Sequence, residues 1–429
     1  MIGSDGGELE QSVIEHPHVV WIGCGDMCSK SSVALAQLNE RLGVPLTFID
    51  ILDKEDVKQS PLPGSSFFNI SLPDQRTALH KHLLAYPVSH MFVANLPPQH
   101  LMTAFLLAGK CPEAQIIIAK PLDVNFQLIE TITSGLVWPG ITDRIFVHDH
   151  YLTKGAVEPI YARFPGLINT YGRIMRFEFY LVEHQTVEEE KRLQALNEGV
   201  ISDLASHLFA LAQLFFLYGD KPAWQEPGTH VIEATLFINH VVRARYTRCR
   251  IPNQNAETFA AIEVTLVAKL QDVLSGDVYE VTIPGIMMVG KGIKPTSSIT
   301  AGLKGMRFHF ELGQRSINLA RGEVNPPLSD LDYADDLWRE TGFNRPLVTA
   351  LSTYNVATPV TDRVKIAPVI PFKISAQNAG FLKDAIRKAS PLEHYRSGDT
   401  LDQVMGLFVA NGTLDPLWLP KNLSEIGFG

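Results

Sequence analysis

The apolar positions of the first 150 residues fall into two rhythms. "HVVWIGCG" (18–25), "PLTFIDI" (45–51), "SHMFVANLPP" (89–98), "AQIIIAKPL" (114–122) and "DRIFVHD" (143–149) are short continuous apolar runs. Runs of that length and continuity are expected of strands buried on both faces. Between them, "KSSVALAQLNERLG" (30–43), "DQRTALHKHLLAY" (74–86), "QHLMTAFLLAGK" (99–110) and residues 124–134 repeat apolar residues at helical spacing; two of these helices stop at Gly43 and Gly109. Strand alternating with helix predicts a parallel sheet covered on both faces.

The rhythm changes after residue 150. A helix is predicted over 154–164, a strand over 173–183 and a strong helix over 202–216, "SDLASHLFALAQLFF". Four partly alternating segments follow, 230–242, 258–270, 277–290 and 306–313, and predict a large, mainly antiparallel sheet. Residues 330–429 mix helices with proline-punctuated loops. The expected organisation is an α/β domain over 1–150 and an α+β domain over 151–429. Ligand clefts are common at such a boundary.

Composition narrows the function classes. The chain has 429 residues, 45% hydrophobic and 19% charged, with a net charge of −9. That balance advertises no basic face for nucleic acid. "HLFALAQLFFLYG" (207–219) is too short to span a bilayer. Four cysteines, with no C-x-x-C pair, predict neither a disulfide framework nor a structural zinc site. A cytoplasmic protein with reduced thiols is expected.

Three stretches carry candidate chemistry. In "GCGDMC" (23–28), Gly23 and Gly25 lie between a strand and a helix, where a tight turn brings backbone close to a pyrophosphate. An ordinary tight turn would read similarly, and the third fingerprint position is Cys28. Asp50 ends the second strand, where an acid bonds a ribose 2′-OH and repels a 2′-phosphate, favouring NAD. Lys30 pulls toward NADP, which stays open. Asn95, Pro97 and Pro98 close the third strand on the cofactor side, and Lys120 closes the fourth, in extended backbone before a proline. Second, "HDHYLTKG" (148–155) gathers His148, Asp149, His150, Tyr151 and Lys154 at a strand end: a metal, a phosphate or a proton-transfer site. Third, Asp203 and His207 stand four apart on one helix. A histidine with an acid one turn away suits a general base working near neutral pH.

Together these residues resemble the glucose-6-phosphate dehydrogenases. "WIGCGDMCSK" is similar to their G-x-x-G-D-L-x-x-[RK] turn, with Asp26 and Met27 at its D-L positions; "VANLPPQHL", "IIIAKPL", "GVISDLASHL", "ETFAAIEVTL" and "IPGIMMVGKGIKPTSSIT" resemble further segments in the family's order. "HDHYLTKG" resembles their D-H-Y-L-G-K signature. The "AKP" lysine and the D-x-x-x-H helix are shared with the glucose–fructose oxidoreductase and inositol dehydrogenase group. The resemblance covers about residues 18–315 and implies a Rossmann domain with a nicotinamide coenzyme.

The roles it implies are specific. His207 is the general base and Asp149 stabilises its protonated form. Lys120 contacts sugar and cofactor. His150, Tyr151 and Lys154 hold a sugar phosphate, with Glu183, Asp203 and Lys291 as further substrate contacts and Lys294 beside them. Gly23, Gly25, Asp26, Met27, Lys30, Asp50, Asn95 and Pro97 face the cofactor. The expected reaction is oxidation of a sugar phosphate, glucose 6-phosphate at C1 first, to a lactone. Other sugars, cyclitols or sugar derivatives, and a non-catalytic ligand-binding relative, remain alternatives. Departures bear on substrate and coenzyme: Ala119 replaces the family's glutamate, Val289 an arginine, Asp50 a basic residue, and the Asp203–His207 spacing is that of the broader sugar oxidoreductases. The broad second sheet would suit a self-complementary interface, in a homodimer or homotetramer.

Overall fold

The computed structural model describes residues 18–25, 28, 45–50, 62–135, 140–149, 151–152, 157–183, 199–217, 224–246, 257–292, 305–313, 315–320, 323–325, 369–396 and 399–418. The expected helix over 30–43, and Asp26, Met27, Lys30, His150, Lys154 and Lys294, lie outside these residues.

The first sheet begins with β1 (Val19–Ile22), β2 (Leu46–Asp50) and β3 (Ser66–Asn69), followed by helix α1 (Pro73–Ala85). It continues through β4 (His90–Val93), α2 (His100–Ala108), β5 (Gln115–Ala119), α3 (Phe126–Thr133) and β6 (Ile145–His148). The parallel order β3-β2-β1-β4-β5-β6 reverses direction between β1 and β4, the crevice where dinucleotides bind in doubly wound folds. Every residue of β1, β2, β4, β5 and β6 is buried, which explains their unbroken apolar runs. Asn125 caps α3 by accepting from Leu128 N–H at 3.1 Å.

The second half opens with α4 (Val157–Tyr171) and β7 (Ile174–Glu183). Helix α5 (Ser206–Ala212) is flanked by π-helical turns, Ile201–Ala205 and Gln213–Leu217. Strands β8 (Thr229–Tyr246), β9 (Phe259–Asp272), β10 (Val278–Lys291), β11 (Gly305–Leu312), β12 (Arg315–Ala320) and β13 (Glu323–Asn325) follow. The last described elements are β14 (Val369–Pro371), α6 (Phe372–Lys388), β15 (Ala389–Tyr395) and α7 (Leu401–Ala410). The second sheet runs β13-β12-β11-β7-β10-β9-β8-β15. It is mainly antiparallel, but β7 with β10 and β8 with β15 pair in parallel. The fold is therefore a Rossmann sheet joined to a large, mostly antiparallel one, as the hydrophobic pattern predicts.

Three elements depart from the sequence reading. β3 is half-buried along its length, so its four residues lack the apolar run of its neighbours. The predicted helix at 202–216 is one element with π turns at both ends, which apolar periodicity does not distinguish from regular helix. β14, from the proline-rich tail, joins the first sheet antiparallel to β6, pairing Val369 with His148. Helix α6 then packs against α3, α5 and β6. Among the described residues no helix is long and apolar enough to cross a membrane.

Candidate active site

The carboxyl ends of strands from both sheets meet around α5. Lys120 follows β5 and is tied to β6 by its N–H donating to His148 O at 3.1 Å. Asp149 and Tyr151 follow β6. Glu183 closes β7 and Lys291 closes β10, and the parallel register sets these two side by side. The helix start is held by Glu257, whose carboxylate accepts from Ile201 N–H at 3.4 Å. A Cβ at Gly199 would lie 2.0 Å from that carboxylate, which explains the glycine.

His207 is buried at 1% exposure, and its Nδ1 lies 2.6 Å from Asp149 Oδ1. The same oxygen accepts from Tyr151 N–H at 2.9 Å, and the Tyr151 ring packs on the imidazole at 4.2 Å. The Tyr151 hydroxyl donates to Glu183 Oε1. Lys291 Nζ stands 2.6 Å from Asp203 Oδ2 and 3.6 Å from Glu183 Oε2. Lys120 Nζ donates to the Asp203 carbonyl and lies 3.4 Å from its Oδ1. Seven predicted residues, Lys120, Asp149, Tyr151, Glu183, Asp203, His207 and Lys291, thus form one connected network. Charged groups this buried need partners, since each would otherwise carry a large desolvation cost.

The environment sorts these groups by protonation. Burial lowers the His207 imidazole below its ordinary value; Asp149 opposes this and Lys120 reinforces it. Burial would raise the Asp149 carboxyl, but the charge and hydrogen bond of His207, with Lys120 and the Tyr151 N–H, hold it below the usual range. Burial, then Glu183, pushes the Tyr151 hydroxyl well above its ordinary value, so it stays a donor. Near neutral pH the set is an ionised Asp149 beside a neutral His207, the arrangement of an oriented base.

Of the predicted cofactor residues, Gly23, Gly25 and Asn95 follow β1 and β4 at the switch point, and Asp50 ends the neighbouring β2. Gly23 has φ +94°, and a Cβ there would lie 2.6 Å from Ala94 O. This is backbone that only glycine accommodates. Gly25 differs: a Cβ there would meet nothing within 4 Å, so the fold itself does not demand glycine. Asp50 is 5% exposed at the end of β2, close enough that its charge helps raise the Cys24 thiol, after the Cys28 hydrogen bond and burial. Asn95 Nδ2 donates to Thr103 Oγ1 at 2.9 Å, and Pro97 opens a 3-10 turn. A strained glycine turn, a buried acid on the second strand and the sheet reversal between them fit a dinucleotide. Gly23→Val is expected to destabilise the fold by about 2–4 kcal/mol, from backbone strain plus the Ala94 clash. An unchanged urea midpoint would show that β1 and β4 are not held this closely.

His148, grouped in sequence with the candidate chemistry, is instead buried in the first sheet, its ring edge-on to Phe92 at 5.7 Å. Sequence reading missed His100. Its Nδ1 lies 2.7 Å from Pro121 O and its Nε2 2.9 Å from Asn95 O, so one ring bridges the loop after Lys120 and the loop of Asn95. Only its place beside the proline pair in "PPQH" hinted at this.

No protein-family model and no curated protein matches the chain. Solved structures do. A myo-inositol dehydrogenase from Corynebacterium glutamicum aligns at TM-score 0.51 with 10% identity, over 87% of this chain and 96% of its own. The WlbA dehydrogenase from Chromobacterium violaceum, solved with NADH and UDP-GlcNAcA, aligns at TM-score 0.54 with 14% identity, over 87% and 93%. The chain has the fold of these two dehydrogenases. A glucose-6-phosphate 1-dehydrogenase from Mycobacterium avium has the same oxidoreductase fold, at TM-score 0.52 and 16% identity, over 94% and 100%. Fold alone does not fix activity, which has to be argued from the site.

Proposed function

We propose that this protein is a nicotinamide-dependent dehydrogenase of a sugar or sugar phosphate, with NAD preferred, NADP possible, and glucose 6-phosphate at C1 the first candidate. The observation that carries the reading is the buried His207–Asp149 pair, 2.6 Å apart, with Asp149 just past the carboxyl end of β6. The similarity of fold to dehydrogenases of sugars and cyclitols supports it. A bound nicotinamide supplies the hydride acceptor. The chain's own residues do the rest. Asp149 accepts Nδ1–H of His207, which leaves Nε2 to take the proton of the substrate hydroxyl. The Lys120 ammonium favours negative charge developing on that oxygen. Asp203 and Glu183, each paired with Lys291, offer acceptors for sugar hydroxyls. In this reading Tyr151 works mainly by packing His207 and fixing Glu183. His150 and Lys154 supply the phosphate contacts.

A second reading, oxidation of an unphosphorylated sugar, cyclitol or sugar derivative, is favoured by Ala119. This buried residue precedes Lys120 where glucose-6-phosphate dehydrogenases carry a glutamate. Nicotinamide absorbance with NAD or NADP against a panel of sugars, sugar phosphates and cyclitols separates the two. Reduction with glucose 6-phosphate is expected; reduction only with neutral sugars selects the second reading. Coenzyme binding without reduction across the panel would instead make the protein a non-catalytic binder.

A further inference from the structure

Beside Asp149 lies a pocket of about 30 Å³ between β6, α5 and α6. Lys120 and Asp149 border it, as do Ser206 and Asn378, with Ala210 and Leu382 among its apolar walls. Its polar atoms are unevenly served. Ser375 Oγ donates to Ile370 O at 3.3 Å. Ser206 Oγ and Asn378 Oδ1 are buried, and neither has a hydrogen-bond partner among the described residues. Both residues are only 9% exposed. Leaving two polar atoms unpaired in such a place is costly. Asp149 contributes to the same wall, and its two side-chain hydrogen bonds, from His207 and Tyr151 N–H, both fall on Oδ1.

We infer that Ser206 and Asn378 hold one buried water that donates to the Asp149 carboxylate, making Asn378, on the helix α6, a positioning residue for the Asp149–His207 pair. The hydrogen-bond inventory closes. Water accepts from the Ser206 hydroxyl and donates once to Asn378 Oδ1 and once to the carboxylate. Three partners are the usual complement of a buried water, and the pocket is roomy enough to hold one. The proposal rests on reading His207 as the base, because its effect reaches the chemistry only through Asp149. Its consequence is local and electrostatic. A carboxylate that loses a donor becomes more basic and holds the protonated imidazole more tightly. Among the described residues the charged groups acting on His207 include Asp149, Lys120 and Glu183, and they are unchanged by substitution at 206 or 378.

The test is a pH titration of ¹⁵N-histidine-labelled protein, with His207→Asn used to assign the His207 ring signals. Ser206→Ala and Asn378→Leu are each expected to raise the His207 pKa by about one unit. The double variant should shift it no further than either single, because both remove the same water. Unshifted titration in the singles, or additive shifts in the double, overturns the proposal. A residue with a merely structural role would lower the melting midpoint and leave the His207 titration in place. If Asn378→Leu does not fold, Ser206→Ala alone decides. Full turnover in His207→Asn would end the general-base reading while the titrations still report whether Asp149 has this third donor.

Discussion

His207→Asn is expected to lower turnover by about 10²–10⁴-fold, the usual worth of a positioned proton acceptor. The amide can still donate toward Asp149 but cannot take a proton, so the network survives while the chemistry stops. Coenzyme affinity, measured by NADH fluorescence, should change by less than about twofold, since the glycine turn at Gly23 is built from other strands. Turnover within threefold of the parent, at about 0.6 kcal/mol of barrier, would remove His207 from the reaction. The pH profile is a second reading of the same group. Burial holds His207 below its ordinary 6.5, so the neutral, proton-accepting form predominates at and above that pH. Activity should therefore be flat above pH 6.5 and fall on an acid limb below it. A limb centred above 6.5 would mean that Asp149 outweighs burial.

Acid should unfold this protein early, and two histidines outside the site account for most of the effect. His90 and His148 are buried in the first sheet, and burial brings each from 6.5 to about 4. The unfolded chain therefore takes up protons first as pH falls. Stability from these groups is complete above about pH 6.5 and drains away toward pH 4. Each contributes about 3 kcal/mol over that window, large against a typical total of about 5–15 kcal/mol. Burial lowers His18, His82 and His100 as well, in the same direction. Glu257, whose carboxyl burial pushes up, runs the opposite way. Urea unfolding at pH 7.5 and pH 5 should show a loss of several kcal/mol, mostly removed in a His90→Phe/His148→Phe double variant. Equal pH sensitivity in parent and variant would assign the acid response to other groups.

The parallel sheet was legible because its strands are buried on both faces and so spell unbroken apolar runs, "HVVWI" and "QIIIA" among them. The site was legible where a short motif keeps its members adjacent. Asp149 and Tyr151 stand together in sequence, and Asp203 and His207 share a helix. What could not be read is contact between distant segments. Nothing in "KISAQNAGFL" announces that Asn378 lines the same pocket as Asp149, and nothing in "PPQH" says which carbonyls His100 will bridge. The π turn carrying Asp203 was hidden for a different reason: one extra residue per turn leaves an apolar stripe readable as ordinary helix.

The pairing of Val369 with His148 also sets the order in which the molecule can be completed. Strand β6 leads directly into Asp149, and among the described residues its outer edge is paired by β14 alone. Until a segment about two hundred residues downstream arrives, that edge presents free backbone donors and acceptors to any other strand nearby. Closing so long a loop is slow, so the strand leading to Asp149 is among the last parts of the first sheet to be sealed. A chain cut before residue 369 would keep every residue of the proposed dyad and still expose a sheet edge beside it.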